Sequence, residues 1–205
     1  MGESAARPAA GRPAEPASAV GAVALVGFMA TGKSAVGRSA AVRLGVPFVD
    51  TDALIEEREG NIPALFEAVG EAGFRRIERD VVMKALDEAL REACILALGG
   101  GAVVDGDVRE ALRRLSRVAW LTAPPDVLWG RASRGGAARR PLARDEEAFA
   151  RLLAARSALY AEVASVQIVN DGSRPLGSVV AAVVALACAQ TPGHHPCADE
   201  EDGHS

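Results

Sequence analysis

Cysteine is scarce in this sequence: Cys94, Cys188 and Cys197 are the whole supply. Three thiols so far apart make neither a disulfide framework nor a zinc cluster. His194 and His195 stand near Cys197, but in a Pro/Gly/acidic stretch that offers no ordered cage, so no metal site is read there. Aromatic residues make up only 4%, so Ala, Val and Leu must fill a core drawn from a 49% hydrophobic chain. Long apolar runs are missing too. The longest, Ala19 to Phe28, is too short to span a bilayer. The start of the chain has no positive region leading into its own apolar core and cleavage site, which argues against a secretory signal. Ala6 stands where a myristoylation signal following Gly2 needs Ser or Thr. The expectation is a cytoplasmic protein with no membrane segment. An excess of one charge is also lacking. The formal net charge is -4, carried by Asp199, Glu200, Glu201 and Asp202, while Glu3 and Glu15 balance Arg7 and Arg12. The body between is formally neutral and has no basic stripe, which excludes a nucleic-acid binder.

Residues 1–18 are Ala, Pro, Gly and Ser without periodicity and read as a disordered extension, and residues 191–205 read as a disordered acidic tail. Residues 19–190 form one domain with no internal repeat. Within it short apolar runs alternate with helical patterns. Val23–Val26, Pro47–Val49, Cys94–Leu98, Val118–Leu121 and Gln167–Val169 read as strands. Helices are expected at Ser34–Leu44, through Leu54 and Ile55, from about Gly73 to Arg91, and from Pro175 to about Ala189. The third of these is expected to bury Ile77, Val81, Leu86 and Leu90. The last, almost wholly apolar, should pack on the sheet. Strands buried on both faces and separated by helices imply an α/β fold, a parallel five-stranded sheet in a three-layer α/β/α sandwich.

Residues 27–34 read GFMATGKS, which fits the phosphate-loop pattern G-x-x-x-x-G-K-[ST] and lies between a strand and a helix, as that motif requires. With only two lysines in the chain, Lys33 and Lys84, a match by chance is rare. Glycines let the backbone curl so that successive N–H groups face phosphate oxygens, and the helix beginning near Lys33 adds its positive end. Lys33 supplies charge to the β- and γ-phosphates of a nucleotide, and the Ser34 hydroxyl suits Mg²⁺. No Asn-Lys-x-Asp guanine-reading segment occurs, and the small size favours a small-molecule kinase.

Asp50 and Asp52 lie at the end of the second strand, where ligands bind in α/β folds. Strand alternation would point them the same way, one serving a metal through water and the other an acceptor hydroxyl; turn or N-cap aspartates are the alternative. Arg75 and Arg76 precede Glu78 on a helix, a fork suited to a carboxylate substrate or else a surface ion pair. Gly99, Gly100 and Gly101 close a buried strand and either bring backbone N–H groups near a ligand or make a tight turn. Arg131, Arg134, Arg139 and Arg140 flank Gly135-Gly136, a composition for a mobile lid over phosphates at about 131–145 or for a basic surface loop. Arg156 lies on the helix that follows.

In this order the motifs GFMxxGKS, DTD, FRxxE, GGG, RPL and RxxxY resemble the shikimate kinases across about Val23 to Ala189. The resemblance implies the phosphate-loop nucleoside-triphosphate kinase fold and a monomer that uses ATP and Mg²⁺. It implies phosphorylation of shikimate at its 3-hydroxyl, a step of chorismate and aromatic amino-acid biosynthesis. By it, Ala30, Thr31, Gly32, Lys33, Ser34 and Ala35 line the ATP phosphates. Ser34 ligates Mg²⁺, and Asp50 supports the metal through water. Asp52 holds the reacting hydroxyls, and Arg75 and Arg156 clamp the carboxylate. Gly100, between Gly99 and Gly101, touches the ring substituents. Lys33, Asp52 and Arg140 are the catalytic set, with Arg140 reaching the transferring phosphate from the lid. Arg131 is the adenine-side arginine, and the turn at Ser173 and Arg174 makes a second adenine contact through one of the two. Ala30 and Ala35 depart from the family's usual glycine and threonine. Residues 60–62 are one residue shorter than its pattern, and the lid is slightly longer.

Overall fold

The structure is a computed structural model and describes residues 20–134 and 145–189. Five parallel strands form the sheet: β1 (Val23–Val26), β2 (Phe48–Asp50), β3 (Ile95–Ala97), β4 (Val118–Thr122) and β5 (Val166–Val169), in the order β2-β3-β1-β4-β5. Around it lie α1 (Lys33–Leu44), α2 (Thr51–Glu59), α3 (Ile62–Ala89), α4 (Gly106–Leu115), α5 (Pro125–Arg134), α6 (Glu146–Val163) and α7 (Leu176–Cys188), with a short 3₁₀ turn at Ala102–Val104.

Every residue of β1 is buried, because side chains alternate between two covered faces. Val23 and Leu25 join Ile95, Leu121 and the apolar sides of α1 and α7. Ala24 and Val26 join Leu96, Val118 and the helices of the opposite layer, where Phe28 meets Phe149 edge-on at 4.9 Å. Burial on both faces, expected of all strands, holds for β1 and β3 but not at the sheet edges. β2 is half-buried throughout, and Val166 and Val169 of β5 are exposed, since an edge strand lacks one flanking neighbour.

Three helical readings need correction. The helix expected from about Gly73 begins at Ile62, capped by Asn61 and interrupted at Gly70, whose φ of 68° and ψ of 177° bend the chain without ending it. Leu90, expected to be buried, is 46% exposed, because it lies beyond the last helical residue. The helices α4 and α5 were not among those expected. β2 begins at Phe48 rather than Pro47 and takes in Asp50.

The two ends of the described body are neighbours. Gly21 N–H donates to Ala187 O at 2.9 Å, and Arg117 Nη2 donates to Ala189 O at 2.7 Å. This seam lies at the start of β1, while β1 flanked by β3 and β4 opens the site at the other end, where strand order reverses.

Candidate active site

The loop after β1 is held by its own atoms. Gly27, Ala30 and Gly32 have φ of 143°, 62° and 89°. A side chain at Gly27 would run into Leu121 O. Ala30 takes the left-handed conformation at a cost of about 1 kcal/mol, which explains why glycine is favoured there. Thr31 Oγ1 donates to Phe28 O at 2.8 Å, and Lys33 Nζ lies over the loop, donating to Gly27 O and Phe28 O at 2.8 and 3.0 Å. α1 begins at Lys33 with no acid in its first turn, so its positive end faces an open cleft of about 230 Å³. Ala30, Gly32, Lys33, Ser34 and Ala35 line that cleft together with Asp50, Asp52 and Gly100.

Asp50 and Asp52 meet the cleft together, but not by strand alternation. Asp50 ends β2 and caps α2, its Oδ1 accepting from Asp52 N at 3.1 Å, while Asp52 stands in the first helical turn. Asp50 is thus an N-cap that also lines the cleft. Asp50 Oδ2 accepts from Ser34 Oγ at 2.6 Å. Between the aspartates, Thr51 is fully buried and its hydroxyl accepts from Gly99 N at 2.9 Å, tying β2 to the glycine turn.

Side chains at the two outer glycines of that turn would collide with their neighbours, while one at Gly100 would make only ordinary contacts. A Cβ at Gly99 would lie 2.5 Å from Asp52 Oδ1 and 2.9 Å from Glu78 Oε1, so two carboxylates converge there. At Gly101 it would strike the Arg75 guanidinium. Arg75 Nη1 pairs with Glu78 Oε2 at 2.5 Å. Glu78 is 4% exposed, and burial pushes its carboxyl above the usual range, Arg75 working against that shift and Asp52 with it. Arg156 is 6% exposed and lies over the Phe28 ring. Its Nη1 donates to Gly100 O at 3.2 Å, while Nε, also buried, has no hydrogen-bond partner. Burial lowers the affinity of Arg156 for its proton. Tyr160 donates to the same Gly100 carbonyl at 2.6 Å, and burial raises its hydroxyl pKa.

On the other side of the loop, Arg131 in the last turn of α5 donates from Nη1 to Asn170 O at 2.6 Å. Ser173 N and Oγ are both bound to Asp171 Oδ1, at 2.8 and 2.6 Å. Of the segment expected as a lid, residues 131–134 are helical and Asp145 caps α6. Arg139, Arg140 and Gly135-Gly136 lie outside the described residues, as do His194, His195 and Cys197.

Glu78, Tyr160 and Asn170 were assigned no role from sequence. Glu78 and Tyr160 carried a signal, since each ends one of the quoted motifs; Asn170, in a turn-like Asn-Asp-Gly, carried none. Among the described residues no group of three His, Cys, Asp or Glu is arranged to hold a metal alone. The Ser34–Asp50 oxygen pair fits Mg²⁺, which keeps several waters and takes further oxygens from phosphates.

A family model described as shikimate kinase matches residues 29–188. A shikimate kinase of Symbiobacterium thermophilum is 47% identical over 148 residues, 70% of this chain and 83% of that protein. One of Salinibacter ruber is 40% identical over 160 residues, 74% and 76% of the two chains. The structure of shikimate kinase from Acinetobacter baumannii in complex with shikimate is similar at a TM-score of 0.74 and 34% identity, covering 82% of this chain and 93% of that one. A gluconokinase from Sinorhizobium meliloti, covering 82% and 92% at a TM-score of 0.58 and 19% identity, shares the fold alone.

Proposed function

The chain belongs to the shikimate kinase family, and we propose that it transfers the γ-phosphoryl group of ATP to the 3-hydroxyl of shikimate, giving shikimate 3-phosphate and ADP on the route to chorismate and the aromatic amino acids. One observation carries the reading: a glycine turn links a phosphate loop to a buried, incompletely bonded arginine, since Gly100 lines the loop's cleft and its carbonyl accepts from Arg156. The loop suits a nucleotide. The arginine suits a small carboxylate, and Asp52 stands beside that turn.

In this reading the main-chain N–H groups of residues 30–35 and Lys33 Nζ take the phosphates, neutralising charge as the phosphoryl group moves. Ser34, with Asp50 acting through water, would hold Mg²⁺, which would supply further positive charge to the phosphates. Asp52 orients the 3-hydroxyl and takes its proton as the new P–O bond forms and the bond to ADP breaks. Arg75 and Arg156 grip the carboxylate on the turn made by Gly99, Gly100 and Gly101. Arg131 and the Ser173–Arg174 turn serve the adenine side. Arg140 closes on the transferring phosphate from a lid. A monomer working in the cytoplasm, without nucleic acid, completes the reading; among the described residues no helix is long and apolar enough to cross a membrane.

The test is ADP release, measured by enzyme coupling, with shikimate, quinate and gluconate offered in turn. Rapid release with shikimate alone is the expected result, and Lys33→Ala should abolish it without lowering the melting temperature. Release that depends on gluconate, or on no acid at all, would overturn the assignment.

A further inference from the structure

Asn170 follows β5 directly and reaches three elements at once. Its backbone N–H donates to Thr122 O at the end of β4, at 2.8 Å, extending the ladder one step past the strand. Its side chain crosses to the phosphate loop, where Nδ2 donates to Thr31 O at 2.9 Å. Its own carbonyl accepts from Arg131 Nη1 at 2.6 Å. The contact with the loop is close, since a Cβ at Gly32 would lie 2.7 Å from Asn170 Nδ2.

Peptide planarity gives this contact a consequence. In a trans peptide the carbonyl of one residue and the N–H of the next point in opposite directions. Drawing the Thr31 carbonyl onto Asn170 turns the Gly32 N–H away from Asn170. Gly32 lines the cleft, and its φ of 89° lies in the left-handed range. Ala30, two residues earlier, holds a strained φ of 62°. Strain of that kind persists only where the surroundings fix the chain, and a loop relaxing it would be free to rotate the Thr31–Gly32 peptide.

We propose that Asn170 is a positioning residue for the nucleotide. It holds the Thr31–Gly32 peptide so that the Gly32 N–H is presented to the phosphates, and through its carbonyl it holds Arg131 beside the same ligand. The proposal rests on the ATP reading above and adds to it a residue that touches no phosphate.

Two variants test it. Asn170→Asp keeps the side-chain shape and both backbone contacts but offers no donor to Thr31 O at neutral pH. Asn170→Ala removes the donor without adding charge. Both should raise the ATP KM and the pyrophosphate dissociation constant roughly tenfold, the worth of one well-made hydrogen bond. Shikimate affinity should stay within about twofold, and kcat at saturating ATP should be largely retained, since bound and transferring phosphates use the same N–H. In ¹⁵N-labelled protein, the Gly32 amide resonance should shift on adding pyrophosphate in the wild type and shift less in the variants. Unchanged nucleotide affinity in either folded variant, or equal losses for ATP and shikimate, would overturn the role of Asn170. If Asn170→Ala does not fold, the isosteric Asn170→Asp decides. A wild-type protein that binds neither ATP nor pyrophosphate would instead overturn the functional reading on which the proposal stands.

Discussion

Arg156 combines deep burial with an incomplete set of partners. A buried guanidinium with an orphan Nε–H is costly unless something supplies an acceptor, and in the reading proposed above the carboxylate of shikimate would engage this guanidinium. Arg156→Ala and Arg75→Ala should each weaken shikimate binding by about 2 kcal/mol, roughly thirtyfold, with ATP affinity nearly unchanged. Titration calorimetry with each ligand separately checks this, and a loss falling on ATP would place the arginines on the wrong substrate. Glu78 gives a prediction about pH. Its folded-state carboxyl is raised above the ordinary 4.5, mainly by desolvation. The folded protein therefore holds that proton to higher pH than the unfolded chain. The associated stability is present below the ordinary value and lost as pH rises through the raised one. Glu78→Gln should flatten that loss, so wild-type stability should fall relative to the variant between the ordinary carboxylate range and neutrality. Urea denaturation midpoints across that range would show it, and parallel curves would count against it. The sequence made Lys33 and Ser34 legible because their motif is contiguous. It concealed Asn170 because its partner Thr31 is 139 residues away. Glu78 was visible as a helical neighbour of Arg75, but its burial was not, and burial makes an ordinary-looking helical ion pair a desolvated one.

Among the elements, the glycine turn after β3 tolerates little change at Gly99. Gly99→Ala must push aside a carboxylate of Asp52 or Glu78. A displacement of about 1 Å at the reacting hydroxyl costs on the order of a hundredfold in turnover. Gly177→Ala in α7 is the control, because nothing lies within 4 Å of the added Cβ and helical alanine is preferred. It should leave kcat unchanged and raise stability by up to about 1 kcal/mol. Steady-state kinetics and thermal melts of the two variants separate these outcomes, and a fully active Gly99→Ala enzyme would mean the turn has slack. The helices α1 and α7 were legible because one carries a motif and the other is nearly all apolar. The start of α3 was not. Asn61 caps it, Pro63 stands in its first turn, and Gly70, with open space around it, bends the chain without ending the helix. Ten-residue α4 did carry a signal, Val108, Ala111, Leu112 and Leu115 recurring at the spacing of one buried helix face, and Asp105 caps it by accepting from Asp107 N and Val108 N, but the pattern is short and easily passed over.

For the described body as a whole, the phosphate-loop cleft and the body's two ends occupy opposite rims of one sheet. The phosphate loop, the aspartates and the glycine turn gather where the strands finish, and Gly21 and Ala189 lie where they start. Removing residues 1–18 and 191–205 should therefore leave kcat/KM within about twofold and the melting temperature nearly unchanged. A large loss in either would mean that one of these stretches docks on the body. The strand order and both covered faces were legible only in outline, since the alternation of strands and helices implies a parallel sheet but not which strand lies at its edge. The seam itself has a use in engineering. With Gly21 bonded to Ala187 and Arg117 reaching Ala189, a short linker could join the two ends of the described body, near Gly21 and Ala189, in a chain trimmed to them. The body is then topologically a ring, and a circular permutant opened at an exposed turn such as Gly45, with open space around it, would present new termini while keeping each strand's neighbours.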